Sequence, residues 1–123
     1  MTLDTHSEQL LLLQHLARVA VKVRLLNKPA SRGLFSRSSD DEKARQTIYL
    51  LTDAVHNVEG LAGAIEREDH ASIVFYAQLL IDRYTDQAYT EALADVPHTP
   101  EAIDALRAIK AKANAASIKA LAQ

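Results

Sequence analysis

The stretch Ala44 to Ile65, ARQTIYLLTDAVHNVEGLAGAI, decides the fold. Its apolar residues Ala44, Ile48, Leu51, Val55, Val58, Ala62 and Ile65 are spaced by four and three in strict alternation. That spacing returns a side chain to the same side of a helix every two turns, the pattern of a helix packed lengthwise on others. The phase survives Gly60 and Gly63, although each glycine costs about 1 kcal/mol relative to alanine inside a helix. One helix over residues 40–67 is therefore expected, continuous through both glycines.

Working outward, the same period appears three more times. Thr5 followed by Glu8 reads as a capping box, opening a helix over residues 5–27 with Leu12, Leu16, Val19, Val23 and Leu26 on its core face and Gln14, Arg18 and Lys22 opposite. Asp69 is placed to cap a helix over residues 70–95, whose core seam is Ile73, Ala77, Leu80, Tyr84 and Ala88. Thr99 and Pro100 start a last helix over residues 99–121, with Ala102, Leu106, Ile109, Ala113, Ala116 and Ala120 in line. Two of the three connections are short, which favours sequential neighbours running in opposite directions. The expected fold is all-α, an antiparallel, up-down-up-down four-helix bundle forming one domain over residues 1–123, with a long basic loop at residues 28–39.

Composition narrows the function classes. The 123 residues include no cysteine, which removes disulfides and thiolate metal sites and fits a reducing compartment, so a cytoplasmic location is the expectation. No apolar run approaches the roughly 20 residues of a membrane span, so no membrane association is expected. A net charge of −2 gives no overall pull toward nucleic acid. The basic residues are nevertheless segregated: Arg18, Lys22, Arg24, Lys28, Arg32 and Arg37 fall in a segment, Gln9 to Ser39, that contains no acid. There is no glycine-rich phosphate cradle and no serine in a nucleophile pattern. Asp53 and His56 stand at i, i+3, but no matching acidic pair faces them from another helix, and no two histidines are four apart. No metal, no cofactor and no enzymatic activity are expected.

Two surface patches remain. On the helix over residues 70–95, Phe75, Leu79, Tyr89 and Leu93, interleaved with Asp82 and Asp86, lie opposite the core seam; such an apolar stripe suits a protein partner or a second copy of the chain in a homodimer. On the helix over residues 40–67, Tyr49, Asp53, His56 and Gly60 fall on the side away from the heptad seam. Within that second patch His56 to Gly60, HNVEG, resembles the His-x-Leu-Lys-Gly signature of histidine phosphotransfer domains, which are helical bundles of similar length. The resemblance implies His56 as phospho-acceptor, Val58 as the apolar position and Gly60 as clearance for the incoming domain, with Glu59 standing where that family has lysine. The expected function is thus a small non-enzymatic bundle that mediates protein–protein interaction as an adaptor, inhibitor or regulator, with phosphotransfer through His56 as the alternative.

Overall fold

The computed structural model describes residues 4–27 and 38–122. They form five helices: α1 His6–Asn27, α2 Ser38–Glu66, α3 His70–Tyr84, α4 Gln87–Ala92 and α5 Thr99–Ala122, with no strand among the described residues. Helix α1 packs on α2 and α5, and α3 packs on the same two, so the long helices close a ring, the packing pattern of a four-helix bundle. Inside the ring lie Leu12 and Val19 of α1, Leu51, Val58 and Leu61 of α2, Ile73, Ala77 and Leu80 of α3, and Leu106, Ile109 and Ala113 of α5. The expected seams of α3 and α5 are filled by these residues over most of their length.

Helix α2 runs unbroken through Gly60 and Gly63. Its inward face is rotated from the heptad expected: Ala54, Leu61 and Ala64 are buried, while Ala62 is exposed and Ala44, Ile48 and Val55 are half-buried. The reason is that α2 is covered from two sides, by α1 and by α3 with α4. The alternate stripe of small and branched residues beside the heptad therefore also goes inward. The helix ends in a Schellman turn, in which the Glu68 amide donates to Ile65 O and the Asp69 amide to Ala64 O. Glu68 occupies the left-handed conformation that this turn requires, at φ 56°. Asp69 then opens α3 by accepting from the Ser72 amide and hydroxyl.

The helix expected over residues 70–95 is broken. Thr85 turns its hydroxyl back to Ile81 O, and Asp86 accepts from the Ala88 amide as the cap of a new short helix. Both side chains offer the backbone a local partner other than the helical ladder, so a Thr-Asp pair is a natural break. Past it the chain changes phase: Tyr89, Ala92 and Leu93 are buried and Ala88 is exposed. Tyr89 and Leu93 thus belong to the core and not to the outward stripe assigned to them from the sequence. Ala88 leaves the core seam for the same reason.

Candidate functional site

The second surface patch and the first two residues of the interface stripe lie along the α2–α3 side of the molecule, with Gly60 beside Tyr76 at one end and Tyr49 beside Ala88 of α4 at the other. At Gly60 the contact is close: a Cβ placed there would stand 2.6 Å from the Tyr76 ring. The glycine is needed because α3 lays an aromatic side chain across its backbone. The preceding residue, Phe75, meets Tyr76 edge to face, with ring centroids 5.4 Å apart. Farther along, Arg83 pairs with Asp53 at 3.5 Å. His56 sits on the same stripe of α2, between Asp53 and Gly60, and is exposed. Leu79 lies between Phe75 and Arg83 on α3 and is half-buried. Two aromatic side chains stand out from this face, Tyr49 at 72 % exposure and Phe75 at 62 %. Asp82 and Asp86 are exposed at its margin, and Gln78 donates to Asp82.

This geometry bears on the phosphotransfer resemblance. The space that Gly60 would clear for an incoming domain is filled by the protein's own Tyr76, and Arg67 fills the space over Gly63, its Nη1 lying 3.1 Å from where a Cβ would stand.

A second polar constellation, absent from the sequence reading, runs through the interior. His15 of α1 is fully buried, in line with Leu12 and Val19. Its Nδ1 lies 3.4 Å from Pro97 O and its Nε2 3.2 Å from the Tyr84 hydroxyl. A carbonyl can only accept, so Nδ1 carries the proton and donates to Pro97, and Nε2 accepts from Tyr84. The neutral ring is fully satisfied. Burial accordingly pushes the His15 pKa down, a shift only partly opposed by the Pro97 bond. Tyr84 stacks on Tyr89 with centroids 6.2 Å apart, and the Tyr89 hydroxyl donates to Asp53, which also accepts from Asn57 at 3.2 Å. Burial raises the phenol pKa of both tyrosines, with the Asp53 bond adding to the rise at Tyr89. Asp53 therefore joins the two constellations: its Oδ2 receives both the buried tyrosine and the surface arginine. The sequence signal for His15 was its position, three residues after Leu12 and four before Val19.

Three residues of the basic segment, Arg18, Lys22 and Arg24, are among the described residues. Lys22 is taken by Ala92 O and Asp95, each at 2.5 Å, and this bond holds the Asp95 carboxyl below its ordinary pKa. Arg18 and Arg24 are exposed, while Lys28, Arg32 and Arg37 lie outside the described residues. Glu8 turns its carboxylate to Lys112 of α5 at 2.5 Å, which lowers its pKa despite partial burial. Among the described residues no three histidine, aspartate or glutamate side chains converge as a metal ion would require, and no helix is long and apolar enough to cross a membrane.

No protein-family model, curated protein or solved structure matches this chain.

Proposed function

We propose that the protein is a small, non-enzymatic, cytoplasmic interaction module that binds a protein partner through the α2–α3 face. One observation carries this reading. Two patches separated in sequence are locked together by Tyr76 on Gly60 and by Arg83 on Asp53, and they leave Tyr49 and Phe75 standing in solvent above a fixed base. Large, rigid aromatic groups with few rotatable bonds are the residues that dominate binding energy at protein interfaces. Here they are flanked by half-buried Leu79 and rimmed by His56, Asp82 and Asp86, an apolar centre with a polar margin. Rim charges of this kind set partner choice and association rate more than affinity.

The reading is tested by placing a photo-crosslinking amino acid at Phe75, at Tyr49 and, as a control, at Glu66 on the α1 side of α2, in cells that express the protein. An adduct of one defined mass is expected from Phe75 and Tyr49 and none from Glu66. Leu79→Glu should abolish the adduct and leave helicity unchanged by circular dichroism. Equal crosslinking from all three positions, or none from the α2–α3 face, would overturn the proposal.

A further inference from the structure

Helix α1 is apolar on both sides. Its core face holds Leu12 and Val19, yet Leu13 is 60 % exposed and Leu10 47 %, and Ala17 and Val21 continue the same outer strip. The charged residues that border this strip in solvent, Arg18 and Arg24, are both basic. The neighbouring helix α5 presents smaller and, at its start, acidic surface: exposed Ala111 and half-buried Ala108 are preceded by exposed Glu101 and Asp104, the latter paired with Arg107 at 3.7 Å. Large apolar beside basic on one helix, small apolar beside acidic on the next, makes a face that complements itself.

We infer that this α1–α5 face binds a second copy of the chain, with α1 of each protomer laid against α5 of the other. The register comes from contacts within one protomer. Glu8, near the start of α1, meets Lys112, and Lys22, near its end, meets Ala92 and Asp95 just ahead of α5. Residue numbers therefore fall along this side of the molecule as they rise along α1. A two-fold axis parallel to the helices keeps every residue at its own height while exchanging the two helices across the interface. Leu10 then faces the partner copy's alanines, and Arg18 faces the acidic start of its α5. A two-fold contact must be self-complementary in this sense, and a leucine-on-alanine match lets two helices approach closely. Leu13 and Ala17 widen the apolar centre, and the Arg18 pairing selects this alignment over one that sets basic α1 against basic α1. The surface is separate from the α2–α3 face, so a dimer formed here leaves that face open.

Light scattering after size exclusion reads the result directly. The wild-type chain is expected to move from monomer to dimer mass with concentration. Arg18→Glu/Arg24→Glu and Glu101→Lys/Asp104→Lys should each remain monomeric, with dissociation constants raised at least tenfold. Mixed in equal amounts, the two variants should form a heterodimer, because both α1–α5 contacts are then between opposite charges; a folding defect could not be repaired by mixing. A wild-type chain that stays monomeric up to about 1 mM, the scale of a very weak association, would overturn the inference. So would a dimer that survives both charge reversals but is lost in Phe75→Glu, since the self-interface would then be the α2–α3 face.

Discussion

Two groups of histidine and aromatic side chains, one inside the bundle and one on its surface, have opposite characters. The inner group, His15, Tyr84 and Tyr89, is buried, and each member has a partner that its chemistry requires. The outer group, Tyr49, His56 and Phe75, stands in solvent. The difference shows what each group can contribute. A buried, satisfied polar path fixes how helices meet, because any other alignment leaves its donors and acceptors unpaired. Exposed aromatics add little to folding and are available for contact with another surface. Histidine and tyrosine occur in both; burial and hydrogen bonding separate them.

The sharpest way to break this contrast is to remove one oxygen from the inner group. Tyr84→Phe leaves the buried His15 Nε2 without its donor, and an unpaired buried polar atom costs about 1–3 kcal/mol. Phe75→Ala, which deletes far more atoms from the outer face, should stay within about 0.5 kcal/mol of wild type. Urea unfolding of the two variants side by side checks this, and equal losses would show that the outer face is already covered within the molecule.

Mild acid should act on the inner group through His15. The folded state holds His15 below the pKa it has in an unfolded chain, so the unfolded chain binds more protons as the pH drops. The stability contributed is full above the unfolded pKa of about 6.5 and is lost as the pH falls below it toward the folded value. The limiting slope is about 1.4 kcal/mol per pH unit for one group. Groups near the ring are Tyr84, His98 and Glu101, and only a change at His15 removes the buried imidazole itself. Thermal unfolding between pH 7 and 5 should therefore flatten in His15→Gln, whose amide can serve both neighbours without titrating.

These contrasts also mark how far the sequence could be read. The continuity of α2, the capping of α3 by Asp69 and the seams of α3 and α5 followed from period and caps, because those signals are local. The burial of His15 was not read and Tyr89 was misplaced, because neither follows from the period of a single unbroken helix. His15 goes inward because Tyr84 and Pro97, far along the chain, meet both ring nitrogens. Tyr89 goes inward because Thr85 and Asp86 change the phase of the chain. The α2–α3 site was legible in halves; what joins them, Tyr76 over Gly60, is a contact between helices that no one-helix period can show.

That contact makes a smaller prediction. Gly60→Ala gains helix propensity worth about 1 kcal/mol, but its methyl group would collide with the Tyr76 ring unless the ring moves. In the wild-type background the gain should be cancelled or reversed, and in a Tyr76→Ala background it should appear in full. A double-mutant cycle on unfolding free energies reads the coupling, expected at about 1 kcal/mol; additive effects would mean that the ring yields freely and does not brace the face.

The smallest effect belongs to the turn that delivers α3 to α2. Glu68 holds the left-handed position of the Schellman turn with a side chain, where glycine has no Cβ to strain. Glu68→Gly also gives the unfolded chain more freedom, which offsets part of the relief. The net should be a gain of about 0.5 kcal/mol, read as a small rise in the urea midpoint with unchanged m-value. Because Asp69 caps α3 immediately after this turn, the α2–α3 face should keep its shape in the variant. Partner crosslinking at Phe75 should then be unchanged while stability rises, which separates the construction of the face from its use.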